Sequence, residues 1–400
     1  MTLRLMTAMV LILASGAASA AGTAPDLPAA DLSAPDLSAK AINAAVLSDW
    51  QTREKAASEA KTEAKAEDEA APAAPTDGAA VEATDIPETP DPQAATKEAI
   101  ADEKEAAEVD VEEADKLPDP FLIRAQILLD RAHVSPGVID GLAGGNTDKA
   151  VRAYEEMHDL KGDGKLDEAV WKSLSADTAP VVTTYTLTEE DIGARYVPDL
   201  PTDYADLAKL EWLGFRGPAE ALAERFHMDE DLLRILNPDA DFEAVGTKIL
   251  VADPGAGPGP EPLVDRIVVD RSKGELFAYD ESGKMLLALP ATIGSEDTPS
   301  PSGTMKVNGA APDPVYEYDP KKNFKQGDNA KKLTLPAGPN GPVGSMWIDL
   351  SKPTYGIHGT PEPSKIDKTA SHGCVRLTNW DADTLARLIQ PAKTVVEFKG

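Results

Sequence analysis

Short runs of apolar residues, several of them alternating with polar ones, fill residues 263–399 of the sequence. Pro and Gly clusters bound these runs, which is typical of short β-strands joined by turns. The predicted strands are 267–269, 276–279, 285–289, 305–307, 346–350 and 395–398. One helix is predicted at 380–390, with Thr378 or Asn379 as its N-cap. The pattern therefore predicts a β-rich domain, of the sandwich or barrel-like kind, over 263–399.

A different periodicity governs residues 118–176, where apolar residues recur at helical spacing. Ile123, Ile127 and Leu128 fall on one face of a first helix. A second amphipathic helix is predicted to begin at Asn146, a favourable N-cap residue, and a third covers 167–174 after a Gly-containing turn. We expect a small all-α module of three helices here.

Residues 181–254 give a weaker pattern. Helices are predicted from Ala219 and from Asp229, and Asn237-Pro238 and a strand at 248–251 follow them. This order resembles a LysM glycan-binding module that is stretched by an insertion after Tyr185-Thr-Leu187. A structural adaptor is the alternative interpretation of the same residues.

Upstream of residue 118 the composition predicts two segments. Residues 1–20 combine one positive charge, roughly ten apolar residues and a small-residue end, which is typical of a secretory signal peptide. Residues 21–117 are dominated by Ala, Glu, Asp, Pro and Lys, which predicts a disordered acidic tether. No stretch after the signal is long and apolar enough to span a membrane. We therefore expect an exported protein of the periplasm or cell envelope, with no integral membrane segment.

Charge and cysteine content narrow the possible functions. The net charge is −30, yet residues 261–400 hold 17 Lys and Arg against 18 Asp and Glu, a balance of −1. Because no basic region is indicated, nucleic acid is not expected as a partner. The single cysteine, Cys374, excludes an internal disulfide and a thiolate-rich zinc site. We expect no metal and no cofactor, and a thiol that is kept for its chemistry.

Two short segments carry the candidate chemistry: 355–360, which contains His358, and 371–376, which contains Cys374. A thiol attacks a carbonyl as thiolate, so it needs a base that removes its proton and later protonates the leaving amine. His358 lies 16 residues before Cys374, a distance that lets two neighbouring strands bring imidazole and thiol together. His372, two residues before the cysteine, is the competing candidate.

Gly373 has a separate place in this pattern. It has no side chain, so its backbone can approach a substrate closely. The N–H groups of Gly373 and Cys374 are therefore candidates to stabilise a tetrahedral oxyanion.

The two segments, their order and their spacing closely resemble the L,D-transpeptidase catalytic domain, and the likeness extends over 263–399. The residues that the resemblance assigns to the site are Cys374 as nucleophile, His358 as general base, Gly359 as the carbonyl that orients the base, Ser371, His372 and Gly373 for the oxyanion and substrate region, and Arg376 as a basic position. For Arg376, binding of a substrate carboxylate and a structural ion pair are both open.

Residues 118–176 resemble a peptidoglycan-binding module of the three-helix type. The resemblance rests on Val138-Ile-Asp-Gly141, on Ala150-Val-Arg-Ala-Tyr154, and on Asp163-Gly-Lys-Leu-Asp167 followed by Trp171. An inert helical spacer is the alternative, because a fold alone does not establish a function.

Together the resemblances imply a cell-wall enzyme that acts on peptidoglycan. They imply that the thiol attacks a tetrapeptide stem, releases its terminal D-Ala, and passes the thioester to the amine of a neighbouring diamino acid, which cross-links third stem residues. Residues 307–344 are long enough to form a lid that favours amine over water. The alternatives are an L,D-carboxypeptidase or hydrolase with the same site, and a non-catalytic peptidoglycan-binding scaffold.

Overall fold

The structure of the protein, a computed structural model, describes residues 35–69, 117–294, 300–322, 324–369, 371 and 373–400. The predicted signal peptide, much of the predicted tether and His372 lie outside the described residues. None of the helices in the described ranges combines the length and the apolar character that a membrane span requires.

The helices and strands of the described residues are named here in chain order. The helices are α1 (Ala39–Ala44), α2 (Leu47–Glu69), α3 (Pro120–Arg131), α4 (Gly145–Met157), α5 (Glu168–Leu174), α6 (Glu189–Gly193), α7 (Tyr204–Leu207), α8 (Pro218–Arg225), α9 (Glu230–Leu236) and α10 (Asn379–Leu388). The strands are β1 (Val182–Thr186), β2 (Lys248–Ala252), β3 (Arg266–Asp270), β4 (Glu275–Tyr279), β5 (Met285–Pro290), β6 (Gly303–Pro312), β7 (Tyr316–Tyr318), β8 (Leu333–Leu335), β9 (Met346–Leu350), β10 (Gly356–His358), β11 (Val375–Arg376) and β12 (Val395–Lys399).

The C-terminal domain is a curled β-sheet with the strand order β11-β10-β9-β6-β12-β3-β4-β5. Its two ends meet, because the chain that follows β5 returns to β11. There the backbone N–H of Thr292 donates to the carbonyl of Arg376 at 3.0 Å, and the backbone N–H of Arg376 donates to the carbonyl of Thr292 at 2.9 Å. Helix α10 packs against β9 and β10 and begins after Thr378, whose hydroxyl caps it. The predicted β-rich, barrel-like domain is confirmed.

The predicted three-helix module is also confirmed, as α3, α4 and α5. Ile123, Ile127 and Leu128 are buried in its core, as their spacing predicted. One detail differs: α4 begins at Gly145, with Gly144 rather than Asn146 at the N-cap. The Asn146 amide donates instead to the carbonyl of Ile366 at 3.0 Å, so it is used in a contact with the catalytic sheet's domain.

Residues 181–254 form a compact unit in which β1 and β2 pair in antiparallel fashion. Helices α6, α8 and α9 lie between these strands in the sequence. The amide of Asn237 ties the end of α9 to β2: its Nδ2 donates to the carbonyl of Leu250 at 2.8 Å, and its Oδ1 accepts from the Leu250 N–H at 2.6 Å. This arrangement supports the predicted order of elements, while binding of glycan stays a prediction.

The helical module and the 181–254 unit do not have separate cores. Their buried residues form one cluster, which continues into Val268 and Phe277 of the catalytic sheet. Backbone hydrogen bonds extend the sheet at its β5 edge: Ser135 donates to the carbonyl of Ala288 at 2.8 Å, and Ala288 donates to that of His133 at 3.1 Å. The edge strand is thereby covered by the helical module.

The structure differs from the expected tether over residues 35–69, which are helical. Ile42 is fully buried, and the Nδ2 of Asn43 donates to the carbonyl of Val182 at 3.1 Å. Trp50 stacks on Phe121, with ring centroids 5.3 Å apart. The apolar residues of α1 are too few to signal a core locally, because their partners come from elements far along the chain.

Candidate active site

The candidate active site lies on two neighbouring strands, β10 and β11. They run parallel, with Ile357 opposite Val375 and His358 opposite Arg376. Ile357 and Val375 are fully buried in the core of the sheet. Because side chains alternate along a strand, His358 and Arg376 point to the other face, and Cys374, one residue before Val375, faces the same way. We call Cys374, His358 and Arg376 the floor of the site.

The geometry around His358 fixes its tautomer. Its Nδ1 lies 2.7 Å from the carbonyl oxygen of Gly359. A carbonyl can only accept, so Nδ1 carries the proton and Nε2 keeps its lone pair. The ring stacks on Trp347, with centroids 5.5 Å apart. Burial and the charge of Arg376 lower the pKa of His358 to about 4, against the effect of the Gly359 hydrogen bond, so the imidazole is neutral at neutral pH.

The thiol of Cys374 is half-buried. It donates to the carbonyl of Thr354, with the sulfur 3.8 Å from the oxygen. Burial raises the pKa of Cys374, while the backbone N–H of Gly356 and the charge of Arg376 act in the opposite direction. Thiol and imidazole are therefore both neutral in the resting site, and the thiolate has to form during the reaction.

Two serine hydroxyls hold the loop in front of the nucleophile. Ser371 donates to the carbonyl of Cys374 at 2.5 Å and accepts from the Gly373 N–H at 3.2 Å. Ser300 donates to the carbonyl of Gly373 at 2.9 Å. Gly373 has a φ of 108°, a conformation that favours glycine. Ser300 was not predicted, because a lone serine 74 residues upstream of the thiol gives no local signal.

Asn379 supports the residues around the base. Its Oδ1 accepts from the Ser345 N–H at 3.0 Å, and its Nδ2 donates to Glu224 Oε1 at 3.1 Å. A Cβ added to Gly344 or to Gly359 would come within 2.1 Å of the Asn379 Oδ1, so the three backbones pack without room for a side chain. Sequence reasoning considered Asn379 only as a helix cap and missed this role.

Tyr316, which the sequence analysis did not single out, lies close to the floor. Burial and the nearby Cys374 raise the pKa of Tyr316 to about 12, with Arg376 opposing the rise, so its phenol lies within electrostatic range of Cys374 and Arg376. Among the described carboxylates, none forms an ion pair with Arg376. Within the described ranges, no group of three or more His, Cys, Asp or Glu side chains is placed to hold a metal ion.

Comparison with protein-family models places two domains on the chain. Residues 264–397 match the L,D-transpeptidase catalytic domain, and residues 119–174 match a peptidoglycan binding domain. The two matched ranges lie within residues 263–399 and 118–176, respectively. The catalytic match contains all three floor residues.

Curated relatives carry the same family name. YkuD of Bacillus licheniformis is 28% identical over 165 residues, which cover 38% of this chain and 84% of the relative. YbiS of Escherichia coli K12 is 29% identical over a match that covers 50% of this chain and 67% of YbiS. YqjB of Bacillus subtilis is 30% identical over a match that covers 34% of this chain and 69% of YqjB. L,D-transpeptidase 3 of Mycobacterium tuberculosis aligns over 40% of this chain and 78% of its own, at 13% identity and a TM-score of 0.29, too low to argue from.

These matches and the paired motifs on β10 and β11 agree on one identity. Because YqjB is matched at 30% identity over more than two thirds of its length, the likeness extends well beyond the two motifs. The chain belongs to the L,D-transpeptidase family, and residues 264–397 are its catalytic domain.

Proposed function

We propose that this L,D-transpeptidase uses Cys374 as nucleophile and His358 as general base to join peptidoglycan stems through their third residues. The observation that carries the proposal is the pairing of β10 with β11, which puts thiol, imidazole and guanidinium on one face. The neutral Nε2 of His358 has the lone pair that a general base needs.

The proposed acylation begins as the thiol proton passes to Nε2 of His358 while the sulfur attacks the carbonyl carbon of the third stem residue. The C–N bond to the terminal D-Ala then breaks, and the imidazolium returns the proton to the leaving amine. A thioester on Cys374 remains. In the second half, the amine of a neighbouring diamino acid attacks the thioester carbonyl carbon and loses a proton to His358. The C–S bond then breaks as the new amide forms, and the imidazolium returns the proton to the Cys374 sulfur.

The N–H of Cys374 is the oxyanion donor that we favour. The other predicted donor, the N–H of Gly373, is bonded to the Ser371 hydroxyl in this structure. Ser371 and Ser300 instead fix the loop, so that the N–H of Cys374 is pre-oriented before substrate arrives. His372, which lies outside the described residues, stays a predicted contributor to this region.

Arg376 is proposed to bind the terminal carboxylate of the donor stem. Arg376 lies opposite His358 on the paired strand, on the face that Cys374 also shares. A guanidinium suits a carboxylate because it presents two parallel donors. The peptidoglycan-binding module at 119–174 is proposed to keep the enzyme on its polymeric substrate, outside the cytoplasm.

The test uses the full chain and a disaccharide-tetrapeptide. Wild type should release D-Ala and produce a dimer, and a carbapenem should add its mass to the protein. Cys374→Ala should do neither, since the chain contains one cysteine. Release of D-Ala with tripeptide and no dimer would establish the hydrolase instead, and absence of both products with wild type would favour the scaffold.

A further inference from the structure

Tyr316 belongs to a segment that is held in place by another unit of the chain. We call β7, β8, residues 324–332 between them and residues 336–341 after them the flap. We call residues 194–217, which lie between α6 and α8 of the 181–254 unit and contain α7, the insert. The insert is the stretch that departs from the LysM-like order of elements, so it needs a separate explanation.

The insert pairs with the base of the flap through backbone contacts. The Leu213 N–H donates to the carbonyl of Ala337 at 2.8 Å, and the Asn340 N–H donates to that of Leu213 at 2.9 Å. The approach is close at Gly338, whose φ is 143° and where an added Cβ would lie 2.2 Å from the Leu213 oxygen. The Asn340 amide adds a bond of 3.1 Å to the carbonyl of Gly214.

A second contact joins the insert to the outer part of the flap. The ring of Tyr204 lies edge-on to three flap rings, at centroid distances of 5.2 Å from Tyr318, 5.9 Å from Phe324 and 6.2 Å from Tyr316. Its backbone N–H donates to Gln326 Oε1 at 3.1 Å. The Tyr204 ring is therefore the centre of an aromatic cluster that the flap cannot build alone.

Polar contacts continue beside this cluster. The Nε2 of Gln326 donates to the carbonyl of Thr202 at 3.2 Å, and the Nδ2 of Asn329 donates to Asp203 at 3.0 Å.

The flap's own strands are three residues long each, and a two-stranded ribbon of that size is marginally stable by itself. Its buried residues, Tyr318 and Leu335, share one core with residues of the insert.

We propose that the insert clamps the flap over Cys374, and that Tyr204 is a positioning residue that acts through Tyr316 to favour an amine-bearing stem over water as acceptor. Tyr316 lies in the aromatic cluster, and its phenol is within electrostatic range of Cys374 and Arg376. A flap that is fixed at both ends keeps this ring in place throughout acylation. This inference rests on the proposed transfer reaction but is tested separately from it.

The experiment measures amide hydrogen exchange of β7 and β8 and, in parallel, the ratio of dimer to tripeptide product, with the full chain. Tyr204→Ala should speed exchange in the flap about tenfold, because three edge-to-face contacts are lost. It should lower the product ratio several-fold, while the carbapenem still acylates Cys374. Tyr204→Phe should behave like wild type, since it keeps the ring.

Tyr196→Ala is the matched control. It removes a tyrosine of the same insert whose hydroxyl bonds to the carbonyl of Asp191, in the insert's own unit. Gln326→Ala is a second probe of the clamp that leaves the aromatic cluster intact, and it should change exchange and product ratio in the same direction as Tyr204→Ala.

Unchanged flap exchange in both Tyr204→Ala and Gln326→Ala would overturn the clamp. Faster exchange with an unchanged product ratio would overturn the role in acceptor choice. If the ratio of dimer to tripeptide fell as much in Tyr204→Phe as in Tyr204→Ala, packing of the ring would be the wrong explanation. Failure of wild type to be acylated would count against the proposed function alone, because hydrogen exchange does not depend on it.

Discussion

The floor and the roof of the catalytic site are built in different ways. The floor residues Cys374 and His358 are held by backbone pairing of adjacent strands, whose other face is buried in the core of a single domain. The roof residue Tyr316 is held by side-chain and loop contacts with the insert, more than a hundred residues earlier in the chain. The floor is therefore fixed within one domain, whereas the roof depends on contacts with a second unit of the chain.

This difference separates two properties of the enzyme. Changes at Cys374 or His358 should remove the chemical step, because the proposed mechanism uses both groups to form the thioester. Changes in the roof should redirect the thioester between acceptors, because they alter access rather than reactivity. Measurements that resolve acylation from acceptor choice can therefore test the comparison.

The largest effect is expected from the floor. His358→Ala should lower the rate of Cys374 acylation about 10²- to 10⁴-fold, which is the usual contribution of a general base. The loss should be seen with both the tetrapeptide and a carbapenem, by intact-protein mass spectrometry over time. His372→Ala should leave measurable acylation, as expected for a residue that shapes the oxyanion region.

The control for this prediction is His158→Ala, which removes a histidine that stacks on Tyr154 in the helical module. Its acylation rate should equal that of wild type. If His372→Ala were slower than His358→Ala, the base would have been assigned to the wrong histidine.

The floor residues could be singled out from the sequence, whereas the contacts of the roof could not. Cys374 and Arg376 lie within one short segment and His358 lies 16 residues before the cysteine, so residue type and spacing draw attention to all three, while their roles stay predictions. The clamp depends on contacts such as Leu213 with Ala337, which only the folded chain brings together. The sequence indicated a lid at 307–344, but the first part of that range is strand β6 of the sheet.

The same reasoning explains why the supporting role of Asn379 was missed. The local pattern offered Thr378 or Asn379 as the N-cap of α10, and Thr378 is the cap. The Asn379 amide instead donates to Glu224, which belongs to another unit of the chain. Residues 39–44 are alanine-rich and low in complexity, yet Ile42 completes a core made by distant residues. Tertiary burial overrides local composition in both cases.

Arg376 provides the next test of the floor. Arg376→Gln should raise KM for a tetrapeptide with a free terminal carboxylate about 10- to 100-fold, because a hydrogen bond to a charged group is lost. The effect should be much smaller for a tetrapeptide amide. Arg387→Gln, at an exposed arginine paired with Asp383 on α10, is the control and should leave KM unchanged. Equal effects on acid and amide would assign Arg376 a structural role.

The pH dependence of acylation tests the state of the base. With a pKa of about 4, His358 stays largely unprotonated down to pH 5. Protonation of the base should therefore lower the acylation rate only slightly between pH 8 and pH 5. An ordinary histidine, with a pKa near 6.5, would lose roughly thirtyfold over that range. In Arg376→Gln the fall in acylation rate at low pH should begin at a higher pH, because the charge that helps to lower the pKa of His358 is gone. Circular dichroism at each pH must show a folded protein.

The smallest effect is expected at Glu224, the support of Asn379 that comes from outside the catalytic domain. Burial raises the pKa of Glu224 to about 8; Glu220 adds to the rise, and Asn379 and His227 oppose it. Below pH 4.5 the carboxyl is protonated in both the folded and the unfolded chain. Between pH 4.5 and 8 the unfolded chain releases this proton more readily, so the stability of the folded state falls as pH rises.

Glu224→Gln removes that proton equilibrium while keeping an oxygen that accepts from Asn379. We expect the Tm of the variant to equal that of wild type near pH 5 and to exceed it by about 2 °C near pH 9, measured by calorimetry. Asp381, whose pKa burial raises to about 7, is present in both proteins and cancels in the difference. Glu243→Gln, at an exposed position, should have the same Tm as wild type at both pH values. If the difference in Tm between Glu224→Gln and wild type did not change with pH, Glu224 would be charged in the folded protein, and an ionised carboxylate would support Asn379.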